Sequence, residues 1–463
     1  MRRLAILLTL PLAITTACAG TSGAAPAKPS VTAAPTVATS HAVGSIRGSD
    51  NRFTNWTTYH RTNNRAGNAT GAIKGKLVKA WAAHLDGAVY GEPLVINGTV
   101  IAATENDSVY GLNALTGKQK WRTHLGTPQD QSQLQCGNIN PLGITGTPAY
   151  DGATHSLFVV AETEGGHHTL WALNPANGGR RWHRSTDVLA NRDRTTEQQR
   201  SALLVTHGRV ITTYGGLYGD CGNYVGYLTS VSTSGKGTMT HYAVPTSREA
   251  GMWSPAGPMV GANGNLYVAV GNGAQTSGAW DKSDSVTELT PTSLHPIAAF
   301  APSIWQQDNA NDLDLGSSSP MSADGNIVMA GKRGVVYLLK TSLGGVGGQI
   351  AELTGCAAYS GGARVGHRVI LPCNDGIRSL SVGTTSLHWQ WRAGGIYGSP
   401  VIDSGRLYVA DTNTGTLKVL SLTSGQVMAT RPVGTLTHFT SVVVDGNHVF
   451  VPTTSGITAF HGS

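Results

Sequence analysis

The sequence predicts an all-β chain: an eight-bladed β-propeller of four-stranded blades, closed by an N-terminal strand that pairs with the C-terminal blade. Three observations predict it. The composition suits short strands and tight turns, a strand–turn–strand unit recurs along the chain, and a lone copy of the unit's last strand stands near the start. The 463 residues include 60 glycines and 20 prolines and are only 13% charged. No long run rich in Ala, Glu, Lys and Leu interrupts the Thr, Val and Ser that favour extended backbone.

The repeat is clearest in VYGLNALTGKQKW (109–121), LWALNPANGGRRW (170–182) and LKVLSLTSGQVMA (417–429). Each reads as an alternating strand, a turn ending in Gly and a second strand. Weaker copies place apolar residues at matching positions, giving the series Leu112, Leu173, Val231, Leu289, Leu339, Leu380, Leu420 and Phe460, 40 to 61 residues apart. Ahead of each copy lies an inner strand and an NG- or DG-type hairpin, as in GEPLVINGTVIAAT and TSVVVDGNHVFVPT. Four strands per unit, repeated radially, are propeller blades. The eighth unit runs out of chain after its third strand. GKLVKAWAAHLD (75–86) has Trp81 where the first and second units have Trp121 and Trp182, so it is expected to complete blade eight and leave no open sheet edge. These tryptophans are expected to pack between blades.

The first residues, MRRLAILLTLPLAITTACAG, have the basic start, apolar stretch and small residues of an export signal, too short for a membrane span. Two cuts compete: TTAC resembles a lipoprotein box with Cys18 as the lipidated residue, and Ala17-Cys18-Ala19 also suits ordinary signal peptidase. The expected organisation is a signal over 1–18, an Ala/Thr/Ser/Pro-rich tether over 19–50 and the propeller over 51–463, in an extracytoplasmic protein, lipid-anchored or secreted, at a bacterial cell surface. After export four cysteines remain, an even number that favours two disulfides. Cys356 with Cys373 closes a short loop and is the first pairing to expect; Cys136 and Cys221 are the other two candidates. No CxxCH is present for a c-type haem and no Cys/His spacing for zinc. The formal charge of +7 is scattered, with no nucleic-acid footprint.

One stretch stands out from this low-charge background. DNANDLDLGSSSP (308–320) sets Asp308, Asp312 and Asp314 within seven residues, which repel unless a cation lies among them. It links blade four to the innermost strand of blade five. Loops entering innermost strands share one face with those joining second to third strands, so the acidic residues are expected at the mouth of the central channel.

ALTGKQKW, NPANGGRRW and the opening NWTTYHRTNNRAG make residues 51–463 similar to the PQQ-type propeller repeats of the quinoprotein alcohol dehydrogenase-like superfamily, which also includes non-enzymatic scaffolds. The resemblance implies a cofactor site at the channel mouth. GMWSPAGP places Trp253 where these enzymes stack the quinone, YVAVGNGA makes Asn272 and GDCGNYVGYL makes Asp220 the calcium ligands, and AGKRGVVYLL gives Lys332 as the cation on the quinone oxygens. In NDLDLGSS, Asp314 matches the catalytic base, with Asp312 close behind. Oxygen ligands suit calcium, an ammonium would stabilise charge on a reduced quinone, and a carboxylate would take an alcohol's proton. Each residue also has a structural role open to it: packing for Trp253, a turn for Asn272, a hairpin tip for Lys332, and capping of the Gly316–Ser319 turn for Asp312 and Asp314.

The chain departs from these enzymes in lacking their adjacent cysteine pair and the haem domain of the polyvinyl-alcohol-oxidising relatives. The reading preferred from sequence is therefore a propeller that binds a small-molecule ligand or an extracytoplasmic protein at the channel mouth, without redox turnover. The alternative is a PQQ- and Ca²⁺-dependent alcohol dehydrogenase, without haem, that passes electrons to a separate acceptor. In either case membrane association is expected only through a lipid anchor.

Overall fold

The computed structural model describes residues 52–69, 71 and 73–463, so Cys18 and the expected signal and tether lie outside the described residues. The fold is the eight-bladed propeller of four-stranded blades. From the channel outward, blade one is Leu94–Ile96, Thr99–Ala103, Ser108–Asn113 and Gln119–His124. Blades two to seven follow over 149–185, 204–243, 259–301, 321–354, 363–393 and 401–432. Blade eight is Val443–Asp445, His448–Thr453 and Gly456–Gly462, and its fourth strand is Leu77–His84, antiparallel to Gly456–Gly462 with Leu77 opposite Gly462 and His84 opposite Gly456. Two sheets carry an extra short strand: Glu197–Gln198 joins blade three, and Gly345–Val346 runs parallel to the edge of blade four.

The repeat series from Leu112 to Phe460 falls on the third strand of every blade, and all eight side chains are buried. A third strand is covered on both faces by neighbouring blades and is mostly buried along its length, as in Tyr227–Ser232 and Ser285–Leu289. The fourth strands alternate, as in Arg180–Ser185, because one of their faces meets solvent.

Tryptophans on fourth strands seal the blade seams. A Cβ added to Gly117 would lie 2.6 Å from the Trp81 ring, and Gly178, Gly235 and Gly425 stand in the same relation to Trp121, Trp182 and Trp391. Each of these turn glycines has a positive φ, so the turn supplies both the left-handed backbone and the flat space on which the indole lies. The indole N–H groups of Trp81, Trp121 and Trp391 donate to Ala114, Pro175 and Leu422 carbonyls in the same next-blade turns, at 3.0 to 3.1 Å. Blade eight thus docks on blade one through the same contact as an internal seam.

Residues 52–69 run across the innermost strands, at the end where the first strand of a blade turns into the second. Main-chain bonds join Trp56 to Val95, Thr57 to Tyr150, Asn63 to Val260, Ala66 to Arg364 and Gly67 to Ile402. Asn63 Nδ2 donates to the Val205 carbonyl, and Thr54 N donates to Asp445 Oδ1. Seven of the eight blades are therefore tied to this segment, whose Trp56 and Arg65 are fully buried. It closes one end of the channel and leaves the other as the mouth.

Candidate functional site

The six residues singled out from sequence come together at the mouth. Asp220, Asn272 and Lys332 sit on the loops between second and third strands of blades three, four and five, Trp253 on the loop entering blade four, and Asp312 and Asp314 on the loop entering blade five. Lys332 is their centre. Its Nζ lies 2.6 Å from Asp314 Oδ2 and 2.7 Å from Asp312 Oδ1, and 5.8 Å above the Trp253 ring. Asn272 takes part through its main chain, its N–H donating to Asp314 Oδ1 at 2.7 Å. Asp220 accepts the Tyr224 hydroxyl and feels the charges of Asp312, Glu249 and Lys332.

Asp314 is buried and Lys332 half-buried. Burial raises the Asp314 carboxyl above the usual carboxylate range, although Lys332 and the Asn272 N–H oppose the shift. Burial also works against the Lys332 charge, but Asp314 and Asp312 outweigh it and hold the ammonium well above its ordinary value.

Asp314 makes no side-chain cap to the turn that follows it, and the Leu315 N–H just ahead of Gly316–Ser319 goes to Asp284 Oδ1 at 2.6 Å. The serines that follow tie loops together. Ser317 Oγ donates to the Ala358 carbonyl at 2.7 Å, Ser318 Oγ donates to the Ala330 carbonyl, and Ser319 Oγ donates to the Gly257 carbonyl at 3.1 Å. Gly271 matters for close approach, since a Cβ there would stand 2.2 Å from Asp314 Oδ1. Asp308, whose neighbours in sequence suggested a triple acidic site, pairs with Arg333 and not with Lys332, with burial raising both its carboxyl and that of Asp284.

Other parts of the mouth gave no motif in the sequence. Phe439, on the loop entering blade eight, lies 6.2 Å from the Trp253 ring and carries the Arg200 guanidinium 4.9 Å from its own centroid. Beside it the channel holds a cavity of about 20 Å³ whose lining includes Tyr59, Tyr90, Glu92, Arg200 and His438. Further toward blades one and two, Glu105, Asp107 and Glu162 are buried together with His168, which lies 3.3 Å from Glu162 and 2.9 Å from Asp187. Glu105 Oε1 and both Asp107 oxygens accept no hydrogen bond from the described residues. Burial raises Glu105 to about 8 and Asp107 to about 9; it opposes the charge on His168, which Glu162 and Asp187 nonetheless hold at about 10. Glu105 and Asp107 occupy the same loop of blade one that Lys332 occupies in blade five, so the repeat register was the one signal that pointed to them.

A family model described as outer membrane protein assembly factor BamB matches residues 69–286. Among solved structures, a quinohemoprotein alcohol dehydrogenase from Pseudomonas putida superposes with a TM-score of 0.69 at 13% identity over 88% of this chain and 80% of that one. A europium-containing methanol dehydrogenase gives 0.68 at 14% over 87% and 90%, and BamB from Moraxella catarrhalis 0.56 at 15% over 83% and 97%. The chain is a PQQ-like β-propeller protein. No curated protein matches its sequence. At these identities the structural likeness carries the fold of the PQQ-like propeller and none of its chemistry.

The mouth of this PQQ-like propeller, as arranged, does not fit a calcium-bound quinone. Among the described residues no three acidic, His or Cys side chains are placed to hold one metal ion. Both Asp314 oxygens are engaged, by Asn272 N and Lys332, and the Asp220 carboxylate by Tyr224. The Trp253 ring already has Lys332 and Phe439 beside it, and the adjoining cavity of about 20 Å³ holds roughly one water, where small-molecule sites run to several hundred Å³. The cysteines form Cys136–Cys221 and Cys356–Cys373, the second being the pairing expected from loop length.

Proposed function

We propose that the protein is an extracytoplasmic, lipid-tethered binding propeller whose working surface is the channel mouth between blades three, four and five, and that it carries out no redox turnover. One observation carries this reading: the charged groups there neutralise one another. Lys332 is held by Asp314 and Asp312, Arg333 by Asp308, and Arg248 by Glu249. Such pairs make a rigid, shaped rim over blades three to five and leave Asp314 and Lys332, the candidate base and cation, engaged with each other. The match to an assembly-factor model supports a binding role, because that relative's described part is in assembly. The anchoring half of the proposal rests on the Cys18 box and is tested by palmitate labelling, expected for the wild type and lost in Cys18→Ala.

A second reading, a PQQ- and Ca²⁺-dependent alcohol dehydrogenase, draws on the convergence of Asp314, Lys332, Trp253 and Asn272 at one place. Adding PQQ and Ca²⁺ to the purified protein separates the two. The binding reading expects no quinone absorbance after gel filtration and no dye reduction with simple alcohols. A retained chromophore that reduces dye, with turnover lost in Asp314→Asn, would make the protein a dehydrogenase.

A further inference from the structure

Resting on the mouth as a binding site, the chemistry of its ligand follows from which cation there is left without a partner. Arg200 makes no hydrogen bond or ion pair with the described residues; it has the Phe439 ring at 4.9 Å and the longer-range fields of Tyr90 and Glu105. Its side chain is half-buried and lines the channel cavity, so part of it borders that space. A guanidinium stacked on an aromatic ring keeps its N–H edge free, and that edge matches the two oxygens of a carboxylate.

Neither of the two acids nearest this cavity is bonded to Arg200. Glu105 Oε2 is taken by Gly143 N at 2.8 Å and Thr145 Oγ1 at 3.1 Å. Glu92 turns toward the closed end of the channel, where Oε1 accepts Trp56 Nε1 at 2.5 Å and His60 N at 2.8 Å and Oε2 accepts Ser441 Oγ. Burial raises Glu92 to about 7, so much of its charge is absent near neutrality.

We infer that Arg200 anchors the carboxylate end of an anionic ligand entering the channel mouth. The cavity holds about one water, so it takes one carboxylate oxygen at most, and the other oxygen and the rest of such a ligand stay at the rim, against Phe439, Tyr90 and the exposed His438. The Arg200 fork donates two parallel N–H bonds to the headgroup oxygens, and Phe439 sets the angle of the fork.

The test uses benzoate and its neutral isostere benzamide, titrated into the purified chain and followed by calorimetry, with thermal melts to verify folding. Saturable benzoate binding is expected, with benzamide weaker by roughly ten- to a hundredfold and Arg200→Gln weaker by a similar factor. Arg200→Lys keeps the charge and loses the fork; it is expected to fold and to bind benzoate roughly tenfold more weakly, which keeps the test decisive if Arg200→Gln does not fold. Benzamide binding as tightly as benzoate, or either Arg200 variant binding like the wild type, overturns the assignment to Arg200 while leaving the mouth a ligand site. Binding of neither compound overturns the assignment and the small-molecule form of the binding reading with it.

Discussion

Lys332 Nζ stands 2.6 Å from Asp314 Oδ2, although the two residues enter the channel mouth on different loops, one within blade five and one ahead of it. The pair adds charge to the main-chain bond from Lys332 N to the Asp314 carbonyl that also joins those loops at 2.8 Å. Its two halves are unequal. Asp314 loses its cation if Lys332 goes, whereas Lys332 keeps Asp312 if Asp314 goes.

Lys332→Met is therefore expected to cost about 2–3 kcal/mol, reduced from a fully buried pair because Lys332 is partly solvated and Asn272 N still serves Asp314. Asp314→Asn should cost about 1–2 kcal/mol. Urea melts of both variants check the order; equal losses, or a larger loss for Asp314→Asn, would contradict the geometry.

Ring closure rests on Trp81. Its indole lies 5.9 Å from Phe450 within blade eight and donates to Ala114 O in blade one. Trp81→Ala should cost about 3–5 kcal/mol, comparable to Trp121→Ala at an internal seam. Gly117→Ala should cost about 1–3 kcal/mol, since it forces a side chain into φ +69° and toward the indole. Thermal denaturation reads both, and a Trp81 variant as stable as the wild type would argue for an unsealed ring.

Stability should fall as pH rises from 7 to 9. Folded Glu105 and Asp107 keep their protons to about 8 and about 9, against 4.5 and 3.8 for the same groups in solvent, and His168 keeps its own to about 10 against 6.5. In each case the folded state holds the extra proton, so the stabilisation is present at low pH and is lost on titration of the folded group. His60, pushed down to about 3 by burial, acts in the opposite sense, but its contribution is complete near pH 7. Each fully linked proton changes stability by about 1.4 kcal/mol per pH unit. Melting temperatures at pH 7 and 9 test the slope, and Asp107→Asn should flatten it; a higher melting temperature at pH 9 refutes the buried-proton account.

The disulfides should contribute unequally. Cys136–Cys221 spans 85 positions and ties the loop entering blade two to the loop that carries Asp220, whereas Cys356–Cys373 spans 17. Chain-entropy arguments give roughly 4–5 kcal/mol for the longer closure and about 3 kcal/mol for the shorter. Paired serine variants, melted without reductant, should show this order. The reverse order would mean that strain or residual unfolded structure outweighs loop length.

The sequence by itself determined the number of blades, the strands within each and the closure. All three follow from local periodicity: an apolar position on the third strand of each blade, a glycine where the turn needs positive φ, and in several blades a tryptophan one strand later. It also brought Asp220, Trp253, Asn272, Asp312, Asp314 and Lys332 to one mouth, because loop class alone decides which face a residue reaches. The tertiary structure alone decided what those groups touch. It set the Asn272 N–H on Asp314, gave the Leu315 N–H to Asp284, paired Asp308 with Arg333, and revealed Arg200 on Phe439 beside a cavity one water wide. Those outcomes depend on distances across the channel between residues up to hundreds of positions apart, and no spacing within one chain segment encodes them.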